Sequence, residues 1–175
     1  MQIDTRGGPW RITNPTADST ASSITEPVPT PIAPSGNGVI KYGVKEGGLV
    51  PNGVLLLPFG TGSGTNTFTM KCYGWEEVFS SAIPTPLYIP RILASFTCTL
   101  CTQTGVAGYA VDNNHMFCGT ISLGTGNANV SNEIISPTGN VIASILMDLK
   151  GATYLSFVFS TGSSATACNC LCKSI

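Results

Sequence analysis

The run TNTFTMKCYGW (65–75) constrains this chain more than any other stretch. Phe68, Met70 and Cys72 fall on one parity; Thr67, Thr69, Lys71 and Tyr73 fall on the other. Side chains on an extended strand alternate between two faces, so a strict two-residue period describes a half-buried β-strand. The pattern recurs in LYIPRILASFTCTL (87–100), where Ile92, Ala94, Phe96, Cys98 and Leu100 share a face. VIKYGV (39–44), GVLLLPF (53–59), MFCGTISLG (116–124), NVSNEIIS (129–136), NVIASILMDL (140–149), TYLSFVFS (153–160) and TACNCLCK (166–173) continue it. GVLLLPF reads as an apolar run closed by proline, and Pro90 places the start of its own run at an edge or bend. GTGSGTN, DNNH, GTGNAN, PTGN, KGA and TGSS separate these runs, and each is built from residues that accept tight turns or positive φ. GWEEVFSSAI (74–83) is the one candidate for a helix. Eight or nine short strands with regular turn signals describe an all-β domain over 39–175. The expected architecture is an antiparallel β-sandwich of jelly-roll type, with an immunoglobulin-like sandwich as the alternative strand order.

Residues 1–38 are different. They hold six of the twelve prolines, Pro9, Pro15, Pro27, Pro29, Pro31 and Pro34, and show neither a helical nor a strand period. Proline removes backbone donors and favours extended chain, so this is read as an extended N-terminal arm. An arm of that length buries little against its own small domain, which makes neighbouring subunits the expected clamp. Trp10, Ile12 and Ile24 are its candidate anchors, and Arg6 and Arg11 flank the tryptophan as candidate partners for an acidic surface.

The seven cysteines pose the main chemical question. On a strand, Cys168, Cys170 and Cys172 share one face, and Asn169, Leu171 and Lys173 take the other. Buried free cysteine behaves as a small hydrophobe. Cys72 and Cys98 also sit on apolar faces, so burial accounts for five of the seven. Cys98-x-x-Cys101 is half of a structural zinc spacing, but a C-x-C-x-C strand is not the matching half. The opening MQIDTRGGPW has no basic run leading into an apolar stretch, so it is not read as a secretory signal. A reducing cytoplasm is therefore expected, and with it thiols rather than disulfides.

Catalytic motifs are missing from the sequence. His115, the single histidine, lies in the turn-like DNNHMF, without the strand–Gly-x-Ser-x-Gly–helix setting of a nucleophile elbow. FGTGSGTN (59–66) has three glycines but no lysine and no following helix, so it reads as a hairpin loop and not a phosphate cradle. The acids are dispersed, and Glu76 and Glu77 diverge on a strand. No catalytic residue, metal ligand or cofactor is assigned. Net charge is −1 with scattered basic residues, which argues against direct nucleic-acid binding. No apolar run approaches the roughly 20 residues of a membrane helix. Charged residues are only 10% of the chain against 42% hydrophobic, a surface suited to contact with other subunits.

VLLLPFGTGSGTNTFTMKCYGW (54–75), IPRILASFTCTL (89–100) and DLKGATYLSFVFSTGSSATACNCL (148–171) resemble a group of small virion structural proteins of tailed bacteriophages, of the head-decoration or cement kind. The resemblance spans about residues 39–173 and carries no site residues. It implies a non-enzymatic protein on the outer capsid surface, assembled in the host cytoplasm. The implied partners are the major capsid protein and further copies of itself, a homotrimer by analogy with threefold capsid sites. The competing expectation is a head-fibre or tail-associated module that binds host-surface glycans through Trp75, Tyr88 or Tyr109.

Overall fold

A computed structural model describes residues 11–12, 27–34, 39–41, 53–61, 66–80, 82–101, 115–124, 132–135, 142–161 and 167–174. These residues form ten strands and no helix: β1 (Arg11–Ile12), β2 (Val39–Lys41), β3 (Gly53–Thr61), β4 (Thr67–Ser80), β5 (Ile83–Leu100), β6 (His115–Leu123), β7 (Asn132–Ile135), β8 (Ser144–Asp148), β9 (Tyr154–Thr161) and β10 (Ala167–Ser174). Every pairing is antiparallel. The strand order is β1-β10-β3-β6-β5-β4-β9-β2, with β8 also on β3 and β7 on β8. The all-β, antiparallel expectation holds.

The alternation that marks the strands also builds the core. Phe68, Met70 and Cys72 of β4 point inward and are fully or nearly fully buried. They meet Val54 and Leu56 of β3, Ala94, Phe96 and Cys98 of β5, Ile145 and Met147 of β8, Leu155 and Phe159 of β9, and the three cysteines of β10. Burying an aliphatic or aromatic side chain of this size is worth about 1.5–3 kcal/mol. One cluster fed by seven strands is therefore the main source of stability.

Four local expectations need correction. GWEEVFSSAI is not a helix: Gly74–Ser80 continue β4 and pair with β5, Trp75 opposite Pro90 and Glu77 opposite Tyr88. A long cross-strand ladder outweighs a weak local helical tendency. Ile92 does not share the inward face, because the register steps from Cys72↔Ala94 to Tyr73↔Ile92 and leaves Leu93 as an extra residue. That bulge turns Leu93 into the core and leaves Ile92 49% exposed. Pro58 does not close its strand. Pairing of β3 with β8 ends at Leu56 and pairing with β6 begins at Phe59. Pro58 thus lies where one edge of β3 changes partner, a place where a missing N–H disrupts little. The glycine-rich loop is not a hairpin loop either, since β3 and β4 do not pair with each other.

Gly74 is held to glycine by a close approach. A Cβ added there would lie 2.6 Å from the Ala152 Cβ. Ala152 cannot retreat easily: its N–H donates to the Leu149 carbonyl at 2.9 Å, and Thr153 N–H donates to the Trp75 carbonyl at 3.0 Å. The turn beneath carries positive φ at Lys150 (52°) and Gly151 (80°). The Asp148 carboxylate accepts the Lys150 N–H at 2.8 Å, and Arg91 donates to the Lys150 carbonyl at 2.9 Å while also pairing with Glu76. Gly74→Ala is expected to cost about 1–3 kcal/mol by overpacking. Ala152→Gly added to it should recover part of that loss, a coupling readable from urea midpoints of the two single variants and the double. Purely additive midpoints would show that the contact does not constrain Gly74.

Candidate interface at a proline-framed edge

All seven cysteines are buried free thiols. Cys168, Cys170 and Cys172 share the inward face of β10, as expected, and Cys118 of β6 joins them in the core with Cys72 and Cys98. Burial pushes the thiols of Cys72, Cys118 and Cys170 well above the ordinary range. Neighbouring sulfurs add to the effect: Cys172 and Cys98 beside Cys72, Cys98 beside Cys118, and Cys172 and Cys72 beside Cys170. Burial likewise raises Cys101. Only the thiolate is a good nucleophile or metal ligand, so thiols held protonated in a core are chemically quiet. Among the described residues, no three of His, Cys, Asp and Glu are placed to share a metal ion.

His115 opens β6 opposite Thr61 and does not lie in a turn. Its ring meets Phe59 edge-on at 5.6 Å. Asn169, on the face opposite the cysteines, is nonetheless fully buried, and its side-chain oxygen accepts the Cys170 N–H at 2.9 Å. Nothing in the alternation of TACNCLCK distinguishes a buried outer asparagine from an exposed one.

The aromatics proposed as glycan contacts are mostly covered. Trp75 is 6% exposed, and its indole N–H donates to the Ser156 hydroxyl at 2.8 Å. Tyr88 is buried edge-on against Tyr154 at 5.8 Å. Its phenol is pushed up by burial and then by the charge of Glu77. Tyr109 lies outside the described residues.

The arm residues divide in the same way. Arg6, Trp10 and Ile24 lie outside the described residues. Arg11 and Ile12 form β1, opposite Cys172 and Leu171 of β10. Their backbone partner is thus the chain's own domain. A second docking point lies at Thr30. Its N–H donates to the Tyr88 carbonyl at 3.0 Å, and the Tyr88 N–H donates back to the Thr30 carbonyl at 2.8 Å. β2, at the end of the same N-terminal region, pairs with β9. Both terminal strands of the sheet order, β1 and β2, therefore come from the first 41 residues.

The Thr30 bridge has a sequence logic. In an antiparallel strand, alternate residues present their N–H and C=O to the same side. Flanking Tyr88 at two-residue spacing are Pro86 and Pro90, which have no N–H to give. Flanking Thr30 are Pro29 and Pro31, so the strap's outer side lacks donors at those positions as well. Ile32 N–H turns to the Thr30 hydroxyl at 3.2 Å, and no further rung forms there. Prolines on both strands confine the pairing to one bridge and blunt the edge against further strand addition.

Apolar side chains surround this bridge in the open. Val28 and Ile32 on the strap are 70% and 72% exposed, and Phe79 near the β4–β5 tip is 72% exposed. Residues paired across an antiparallel ladder share a face, as do residues two apart. Thr30, Tyr88, Glu77 and the half-exposed Ile92 accordingly belong to one face of the β4–β5 ribbon. Single exposed apolar residues mean little, and this edge is a candidate contact surface because its docked strap and hairpin carry several of them.

Comparison with known proteins gives no match: no family model, no curated protein and no solved structure matches the chain.

Proposed function

We propose that the protein is a non-enzymatic virion structural protein that decorates and stabilises a phage capsid. The observation that carries this reading is the N-terminal region. Its described parts dock at separate edges, Arg11–Ile12 on β10 and Thr30 on Tyr88, and leave the apolar side chains of Val28 and Ile32 in solvent. A segment of that kind is suited to tie subunits together, since backbone pairing on an edge is a general mode of protein association. The scarcity of charge points the same way. In this reading a β-sandwich caps junctions of the major capsid protein on the outer surface, and the arm staples neighbours, in a homotrimer at threefold sites. The sandwich assignment draws on the nested pairs β3–β10 and β4–β9, as a jelly roll has, and on the single core that both pairs feed. The in-line β4–β5 hairpin is where the topology departs from that pattern. Many weak clamps repeated over a shell add up through multivalency.

The glycan-binding alternative draws less support, because Trp75 and Tyr88 are covered. Quantifying the protein in purified particles of the phage that encodes it tests the reading directly. Many copies in simple ratio to the coat protein are expected. A few copies confined to a vertex or tail would favour the host-binding module, and absence from particles would end both.

A further inference from the structure

We propose that Cys98 is the pivot of a one-way redox gate on folding: joined to Cys101 it keeps the chain from completing its fold, and set against Cys118 in the finished core it is closed to oxidants. The inference concerns how the chain reaches its fold, and it holds whatever the protein decorates or binds.

Three observations carry it. First, the fold holds Cys98 and Cys101 apart. Cys98 lies in the core cluster, while Cys101 is buried outside it. β5 pairs with β6 through Leu100, and Cys101 still donates its N–H to the Phe117 carbonyl at 3.0 Å. Three strand residues span about 10 Å between α-carbons. A disulfide allows no more than about 7 Å. The Cys101 sulfur instead stands over Gly119, 3.3 Å from where a Cβ on that glycine would lie. A Cys98–Cys101 bridge therefore requires the end of β5 to leave its ladder with β6.

Second, the unfolded chain favours that same pairing. Cys101 is the nearest cysteine to Cys98 in sequence. The cost of bringing two residues together grows with the length of chain between them, so an unfolded Cys98 meets Cys101 more often than any other thiol.

Third, the finished fold puts Cys98 out of reach. The slipped register sets Leu100 opposite Cys118, on the diagonal from Cys98, and the Cys98 and Cys118 thiols share a hydrogen bond. Both residues are 0% exposed, and Cys101 is 4% exposed. Thiol–disulfide exchange needs contact between a thiolate and a sulfur of the oxidant, and a sulfur enclosed in a core makes none.

The oxidant is a low-molecular-weight disulfide such as oxidised glutathione. The thiolate of one cysteine attacks it, breaks its S–S bond, forms a mixed disulfide and releases one glutathione. The thiolate of the other cysteine attacks the mixed disulfide, closes the Cys98–Cys101 bond and releases the second glutathione. Two electrons pass to glutathione, and the two thiol protons end on the two released molecules. Excess small thiol reverses both steps, so the gate stands open in reducing surroundings.

The test uses the full chain. The protein is unfolded in urea, treated with oxidised glutathione, diluted to refold, and separated by size exclusion into folded and unfolded fractions. Free thiols are alkylated and the disulfides of each fraction are mapped by mass spectrometry. The Cys98–Cys101 bridge is expected in the unfolded fraction and absent from the folded one. Its presence in the folded fraction overturns the proposal, and so does its absence from both. Dithiothreitol is expected to return the unfolded material to the folded fraction; material that stays unfolded once reduced overturns it as well. Protein kept folded throughout and given the same oxidant for the same time should retain all seven thiols. Loss of Cys98 from that count overturns the protection. Cys101→Ala, scored against its own reduced sample, should lose a smaller share of its refolding to the oxidant than the parent chain, and an equal share overturns the role given to this pair. Where that variant does not fold even when reduced, the map of the parent chain decides alone.

Discussion

Raising the pH from about 7.5 to about 10, with a reductant present, is expected to destabilise this protein through its own core. An unfolded cysteine ionises with a pKa of about 8.5. In the fold, burial and then neighbouring sulfurs hold Cys72, Cys118 and Cys170 well above that range. Above pH 8.5 the unfolded chain therefore releases protons that the folded chain keeps, and the equilibrium moves toward unfolding. The stabilising effect is complete below about pH 8.5 and declines as the pH rises toward the folded-state values. Each such thiol contributes a slope of about 1.4 kcal/mol per pH unit, so three contribute about 4. That slope holds for as long as the folded thiols stay protonated, so stability falls steadily above about pH 8.5. Tyr88, raised by burial and by Glu77, acts in the same direction above pH 10. Urea midpoints measured across this range give the slope, and Cys170→Ala should lower it by about a third. A midpoint that stays flat to pH 10 would mean that these thiols ionise in the fold as freely as in water.

That prediction shows what a strand period makes legible. Inward placement of Cys72, Cys98, Cys168, Cys170 and Cys172 follows from alternation alone, because the face a side chain takes is a local property of extended backbone. What alternation cannot carry is where a neighbouring strand slips. The bulge at Leu93 exchanged Ile92 for Leu93, and that step belongs to the pairing of β4 with β5, not to either sequence. Cys118 lies in an apolar run, and its place beside Cys98 comes from a second slip, where Thr99 faces Thr120 but Leu100 faces Cys118. The skipped residue is Gly119, whose added Cβ would stand 3.3 Å from the Cys101 sulfur. Burial of Asn169 is equally non-local. Proline restricts its own backbone, so a proline-rich region can be read as extended chain from sequence. Its seats cannot, because an edge becomes visible only after the strands have been ordered.

The edges also determine what removing this region should do. Deleting residues 1–38 leaves every described core residue in place, as the earliest described member of the core cluster is Val54. It keeps β2, which starts at Val39 and covers β9. The deletion removes β1 from β10 and Thr30 from Tyr88. At about 0.5–1.5 kcal/mol per hydrogen bond, that is a loss of a few kcal/mol, less than a core of this size supplies. The truncated chain is therefore expected to fold, with an unchanged β-type circular dichroism spectrum and a lowered urea midpoint. Its β10 edge at Leu171–Cys172 is then uncovered, and uncovered edges pair with whatever strand is available. Concentration-dependent association is expected in consequence. Binding to particles stripped of the protein should fall to background, because the staple is gone while the domain remains. Full occupancy by the truncated chain would show that the domain alone carries attachment and that the N-terminal region serves only to finish its own sheet. A truncated chain that fails to fold would place the region in the stability of the domain, and the attachment question would pass to Thr30→Pro, which removes one donor and leaves β1 in place.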